Sequence, residues 1–284
     1  MSHSRIINRF IGGPQKMTQF LRTAGAALIV ASMGATAASA ADMPEVIDAT
    51  KAPFDVAFGV KGTSDYLVRG ITQTDGKPAI QGYVELRAFD WIYAGVAASN
   101  VGFGTGGPDA PNLETDWYGG VRHTFDALTL DAGYVWIKYY GKDALYPKLD
   151  YGKFYGAVSY ALTEQFTVGA NVFYGSDFIN MGVKVVHSTA FAKYAFTPIA
   201  TNPDLGAYIS GSLSKQWTTK NFVKDYVYWD AGGGLTYKAM TFDLRYSDTN
   251  LSKRDCLGYM GDRGWCGSRF VASLSFDTSL SKLK

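Results

Sequence analysis

The sequence predicts an all-β fold, an antiparallel transmembrane β-barrel of about twelve strands behind an N-terminal signal peptide. Three observations point there. Apolar and polar residues alternate with a period of two through residues 54–276, the connections alternate between short and long, and the apolar faces stay almost free of charge. Charged residues are 18% of the chain and aromatic residues 15%, against roughly 25% charge in an average soluble domain. The 27 basic and 25 acidic residues leave a formal charge of +2, too balanced for a general nucleic-acid binder. Two cysteines are too few for a disulfide scaffold, and with three histidines they offer little for a zinc cluster, so no metal or cofactor is expected.

Residues 1–40 read as an address. Arg5, Arg9, Lys16 and Arg22 precede an apolar stretch from Ala24 to Ala38, which ends in Ala38-Ser39-Ala40 as a small-x-small cleavage site. Met17 is an alternative start. A membrane anchor is the competing reading, but the stretch is short for a span and rich in Ala, Gly and Thr. Cleavage removes four basic residues and leaves 23 against 25 acidic, a mature chain of formal charge −2 outside the cytoplasm. A short periplasmic segment over 41–53 then leads to the barrel, which places the protein in the bacterial cell outer membrane.

The first strand is expected over 54–68, with Phe54, Val56, Phe58, Val60, Tyr66 and Val68 on one face and Asp55, Lys61, Asp65 and Arg69 on the other. The same alternation marks 78–89, 91–101, 114–125, 128–140, 150–161, 165–175, 184–196, 205–216, 225–237, 239–248 and 268–277. After every second strand the link is tight (Asp90, Asp126-Ala127, Leu162-Thr163-Glu164, Lys238), with 197–204 the longer case. The other links, 72–77, 102–113, 141–149, 176–183, 217–224 and 249–267, are long and carry Gly, Pro and Asp. Short periplasmic turns and long external loops produce this sorting, which a soluble sandwich has no reason to show.

Lipid exposure adds a second test. A Lys or Arg facing the mid-bilayer costs about 2–4 kcal/mol, falling toward zero at the interfaces. On the apolar faces only His123, Lys138 and Lys215 break the pattern, each near a strand end. Aromatic residues gather at the ends too. Phe54, Trp91, Phe125, Tyr160, Tyr194, Phe196, Tyr237 and Phe276 fall beside the short turns or chain ends, and Tyr66, Trp117, Trp136, Phe154, Tyr174, Trp229 and Phe270 toward the long loops. Two aromatic girdles about an apolar band give this distribution.

The segment from Ser64 to Thr74 (SDYLVRGITQT), followed by Asp75 to Gly82 (DGKPAIQG), resembles the first hairpin of the TorF family of porins. Tyr93-Ala94-Gly95-Val96 with Ser99-Asn100-Val101, Glu114 to Gly120, and Leu244 to Thr249 resemble later strands of that family, so the resemblance covers most of 54–276. It implies an outer-membrane barrel proposed to pass small solutes, with outer-membrane lipids, small hydrophilic solutes and the outer-membrane assembly machinery as partners. It carries over no binding residues and no oligomeric state. One departure is the tail: the last strand is expected to finish at Phe276, leaving 277–284 as an overhang whose deletion should not reduce insertion.

Parity assigns the lumen wall. The expected pore-lining residues are Asp65, Arg69, Gln81, Glu85, Arg87, Asp116, Arg122, Asp131, Asp230, Asp243 and Arg245, joined by Asp55, Lys61, Lys153, Asn171, Lys193 and Arg269. Twelve strands at about 4.8 Å spacing and 40° tilt give a backbone radius of about 12 Å, and a bore of roughly 12–14 Å between side chains before any loop folds in. Close pairs are expected between Glu85 and Arg87, Asp116 and Arg122, and Asp243 and Arg245. Such a wall either selects solutes at a constriction or pairs its charges and closes. Cys256 and Cys266 lie in the longest loop and are expected to form a disulfide in an oxidising compartment.

Enzyme readings are weak. His123 invites comparison with a lipid-facing hydrolase, but no G-x-S-x-G or partner set accompanies it. His187 projects inward without a recognisable triad. The run Gly102 to Gly107 lacks the following helix of a nucleotide loop and leads into Pro108 and Pro111. Three function classes stay open: a passive porin, a closed barrel that acts as a structural or binding protein through its extracellular loops, and a lipid hydrolase.

Overall fold

The computed structural model describes residues 53–103, 110–141, 149–198, 201–220 and 223–283. The expected signal peptide, the segment up to residue 52 and most of the Gly102–Gly107 run lie outside the described residues. The strands are β1 (Phe54–Thr63), β2 (Leu67–Val68), β3 (Ile71–Thr72), β4 (Ala79–Ala88), β5 (Ile92–Asn100), β6 (Leu113–Phe125), β7 (Leu128–Tyr140), β8 (Tyr151–Ala161), β9 (Phe166–Gly175), β10 (Val185–Phe196), β11 (Leu205–Thr218), β12 (Tyr226–Tyr237), β13 (Met240–Thr249) and β14 (Arg269–Ser279). Helix α1 (Lys253–Met260) lies between the last two. All strands except β2 and β3 form one closed barrel of twelve, each antiparallel to its neighbours, with β14 returning to β1. Closure leaves no unpaired edge, the condition for crossing a bilayer with strands.

Outward side chains explain the alternation seen in the sequence. Val60, Ile80, Leu86, Leu130, Ile209, Leu213, Leu235 and Leu244 are large, apolar and exposed on the wall. A continuous apolar belt of this kind has lipid as its natural solvent. Exposed Trp91, Phe125, Tyr160, Phe196 and Tyr237 ring the short-turn end, and Trp117, Trp136, Phe154, Tyr174 and Phe270 ring the other. The molecule is an outer-membrane β-barrel, and no helix among the described residues is long and apolar enough to span.

The short turns take positive φ where the strand twist requires it. Phe89 and Asp90 have φ of 56° and 59°, and Trp91 N–H closes the turn on the Ala88 carbonyl at 3.1 Å. Two consecutive positive φ values make the mirror-image hairpin turn that matches right-handed strands. Asp126 and Lys238 adopt φ of 53° in the corresponding links.

Two strand ends differ from the sequence expectation. The first strand stops at Thr63, not residue 68, and the chain then turns into the barrel as the β2–β3 hairpin. Tyr66, expected in the long-loop girdle, and Val68, expected on the apolar face, are 2% and 8% exposed inside it. Alternation ran on because the hairpin is itself two short strands. The last strand runs three residues beyond Phe276: Asp277, Thr278 and Ser279 pair with Gly59, Phe58 and Ala57 to close the seam. The expected overhang therefore begins at Leu280, and even there Ser281 donates its backbone N–H and hydroxyl to Asp55 at 3.1 and 2.7 Å.

Candidate functional site in the barrel lumen

Side chains on the inner faces are buried toward both ends of the barrel, and the β2–β3 hairpin is buried among them. At the long-loop end the hairpin tip, Arg69-Gly70, takes φ of 53° and 75°. A Cβ on Gly70 would stand 2.6 Å from Thr249 Cγ2 and 3.2 Å from Tyr228 Cβ, so glycine is required both by conformation and by the approach to the wall. Asp65 anchors the base of the hairpin. Its carboxylate accepts the Thr72 and Thr74 hydroxyls at 2.5 and 2.9 Å and pairs with Arg269 at 2.6 Å. At the tip Arg69 donates to Gln216 Oε1 at 2.5 Å, its guanidinium lies 5.1 Å from the Phe178 ring centroid, and Tyr226 donates to its carbonyl at 3.1 Å. Tyr66 hydrogen-bonds Glu114 across to β6.

A second loop covers the hairpin. Cys256 and Cys266 form a disulfide, and both are buried with Trp265 against Ile71, Tyr226 and Tyr228. Thr72 N–H donates to the Trp265 carbonyl at 3.1 Å, and the Trp265 indole donates to Asp75 at 2.9 Å. The Trp265 indole holds the Asp75 carboxyl below the usual carboxylate range, helped by Lys77. Helix α1 starts from Ser252, whose hydroxyl accepts the Asp255 N–H at 3.1 Å, and ends on Gly261 in the left-handed region.

Toward the short turns, two charge clusters stand on opposite sides of the ring. On β4, β6 and β7, Glu85 accepts from Arg87 at 2.7 Å and lies 3.4 Å from Arg122, which reaches Asp131 at 2.6 Å. The Arg122 guanidinium lies 4.1 Å from the Tyr93 ring centroid, and the Tyr93 hydroxyl donates to Asp131 at 2.6 Å and contacts Tyr155. On β12 and β13, Arg245 holds Asp230 at 2.6 Å and Asp243 at 3.0 Å, with Tyr208 donating to Asp243 at 2.7 Å. Glu85 and Arg245 are 0% exposed, so these charges persist only because they are paired and hydrogen-bonded.

Of the residues expected to line a pore, Asp65 and Arg69 belong to the hairpin, not the wall. Gln81, Glu85, Arg87, Asp116, Arg122, Asp131 and Asp243 are buried on inner faces, as is Arg245, with Asp230 beside them. The expected Asp116–Arg122 pair does not form. The two stand six residues apart on β6, about 20 Å at the strand rise, and Arg122 turns to Glu85 and Asp131 on neighbouring strands instead. The bore expected before any loop folds in is entered at its long-loop end by the β2–β3 hairpin. Parity tells which way a side chain points, but not how far Arg, Lys and Tyr reach or that a loop folds inward. Tyr93, Tyr118, Tyr155 and Tyr208 were missed as lumen residues, although they share the parity of the charges beside them.

Both remaining histidines have a structural setting. The His123 ring stacks on Trp91 at 4.0 Å and 7°, with Nδ1 3.3 Å from the Asp90 carbonyl. His187 is 2% exposed and stacks on Phe173, and its ring nitrogens have no hydrogen-bond partner among the described residues. No group of three or more His, Cys, Asp or Glu among the described residues is placed to hold a metal.

Solved barrels superpose on the chain. A KdgM porin gives a TM-score of 0.47 at 7% identity, covering 78% of this chain and 98% of its own. An outer-membrane channel (COG4313) from Pseudomonas putida F1 gives 0.46 at 10% identity over 84% and 99%, and LpxR from Salmonella typhimurium 0.41 at 10% over 78% and 99%. No curated protein matches the chain in sequence. A family model does match, over residues 48–275, which span β1 to most of β14, and the chain belongs to that family, described as "Bacterial protein of unknown function (Gcw_chp)".

Proposed function

We propose that this barrel is an outer-membrane channel for small hydrophilic solutes or ions, closed in the conformation described and opened by displacement of the β2–β3 hairpin. The observation that carries the reading is the division of labour inside it. The wall at the inner end is lined with charged and hydroxyl groups, while the outer mouth is stopped by a loop element that pairs with no barrel strand. A hairpin of this kind can leave without breaking the barrel ladder. The TorF-family resemblance of residues 64–82 supports the same reading, since the resembling segment contains the hairpin. Arg87, Arg122 and Arg245, set against Glu85, Asp131 and Asp243, are the groups that would set ion preference. Delivery by the outer-membrane assembly machinery belongs to this proposal.

Planar-bilayer recording tests it. The wild type should show rare openings, deletion of 66–73 should give sustained conductance, and Arg87→Ala with Arg122→Ala should shift selectivity toward cations. A deletion variant that folds, judged by a heat-shifted gel mobility, yet stays silent would sink the channel. The second reading, a closed barrel working through its extracellular loops, is favoured by the complete burial of Glu85 and Arg245, and a silent deletion variant is its expected result. A lipid-hydrolase reading draws no support from His123, whose ring is occupied by Trp91.

A further inference from the structure

We propose that the seat of Arg69 is a binding site for alkylguanidinium solutes, which take the place of the hairpin tip once the hairpin is displaced. The inference rests on the gating reading above and adds to it the chemical class of the solute.

This seat is unlike those of the other buried arginines. Arg87, Arg122 and Arg245 each lie against a carboxylate, at 2.7, 2.6 and 2.6 Å. Arg69 is 6% exposed, yet among the described residues no carboxylate forms an ion pair with it. Its guanidinium donates instead to the neutral Gln216 amide at 2.5 Å and lies 5.1 Å from the Phe178 ring centroid. The Tyr151, Tyr226, Tyr228 and Tyr259 phenols interact with its charge. Tyr151 meets Phe178 edge to face at 4.9 Å, and Tyr226 lies 5.7 Å from Tyr228 and 6.3 Å from Tyr259, so the rings stand in two packed groups.

Ring faces and one amide recognise a planar cation without locking it to a fixed charge. A carboxylate would hold the guanidinium more tightly, through charge-assisted bonds. A site that passes a solute must be favourable enough to enter and weak enough to leave, and the neutral cage meets both conditions. Its residues come from the first turn of β8, the last of β11, the start of β12, helix α1 and the short turn Phe178–Asn180. All of these stand at the long-loop end, which a solute from outside reaches first.

The charges nearby favour a cation in the seat. Glu114 interacts with both Arg69 and Lys153, and Asp116 interacts with Tyr151 beside them. Once Arg69 leaves, these two carboxylates share one lysine, Lys153, with the His187 imidazole as a further titratable neighbour. The same departure takes the Tyr66 hydroxyl away from Glu114. A cationic solute restores the missing positive charge in a buried setting where its loss is costly.

Two variants of the mature chain folded in detergent test the site, each checked by heat-shifted gel mobility. Arg69→Gly keeps the hairpin, since the φ of 53° suits glycine, and empties the seat. Cleavage within 64–78 should quicken, and guanidinium chloride at non-denaturing concentration should slow it again. Urea, of the same shape without the charge, should not. Deletion of 66–73 clears the seat altogether, and calorimetry should then show binding of agmatine but not of uncharged N-butylurea. Phe178→Leu in the deletion background should weaken agmatine about tenfold. The proposal is overturned if urea slows cleavage as well as guanidinium, if agmatine and N-butylurea bind alike, or if Phe178→Leu changes nothing. Conductance separates the two readings. A deletion variant that conducts without binding agmatine sinks this site alone, whereas one that binds agmatine and stays silent supports the site and sinks the channel.

Discussion

The Trp265 indole donates to Asp75 at 2.9 Å and, together with the Thr72 N–H on the Trp265 carbonyl at 3.1 Å, ties the disulfide-closed loop to the loop whose hairpin enters the barrel mouth. Two segments far apart in sequence thus meet at the mouth, each holding the other. Trp265→Phe keeps the ring packing against Ile71 but removes the donor. Faster proteolytic cleavage within 64–78, with the barrel still heat-modifiable, is the expected result.

The same pair sets a pH dependence. Because the folded Asp75 carboxyl titrates below its unfolded value, its contribution is present above the unfolded value, near 4, and is lost as pH falls through the lower folded one. The clamp should therefore loosen below about pH 4 and not change between pH 5 and 8. Hydrogen exchange of the 64–78 amides against pH measures it, and Asp75→Asn should flatten the acid limb.

Removing the disulfide should affect the loop and spare the barrel. A bridge closing a loop of this size stabilises by about 3 kcal/mol in the chain-entropy model, but β13 and β14 pair independently of it. Cys256→Ser with Cys266→Ser should raise cleavage within 250–268 and leave the heat-induced gel shift at the wild-type temperature. A lowered transition temperature for the whole barrel would show that the loop supports the wall. A free-thiol assay on the denatured, unreduced protein should find none.

Arg122 is the hinge of the β4–β7 charge cluster. Arg122→Ala leaves the buried Asp131 with only Tyr93 and deprives Glu85 of one of two cations, a loss of about 3–5 kcal/mol by analogy with broken buried pairs. Arg122→Ala with Asp131→Ala should lose less than the single change, since the orphaned carboxylate goes too. Urea unfolding followed by tryptophan fluorescence separates the two, and equal losses would mean that the charges are not coupled.

The tail carries a sharper expectation than the sequence allowed. Deleting 280–284 removes the Ser281 contacts to Asp55 and Ser279 and should leave insertion intact. Deleting 277–284 also removes the partners of Ala57, Phe58 and Gly59 at the closing seam. That deletion should cut the yield of heat-modifiable barrel several-fold, and equal yields would show that the seam closes without its last three rungs.

The residue order alone determined the number of barrel strands, the faces of those strands, most of both aromatic girdles and the loop asymmetry. It did so because each depends on a neighbour two residues away or on the chemistry of one solvent, lipid or water. Val60, Leu130 and Leu213 announce their side by parity, since a strand cannot turn a residue over without shifting all the others. Tertiary structure decided what fills the cylinder. The inward turn after Thr63 depends on Asp65 meeting Arg269, and the choice of Arg122 for Asp131 over Asp116 depends on strand stagger. These are contacts between residues distant in sequence whose geometry is set only when the ring closes, so no local pattern could carry them.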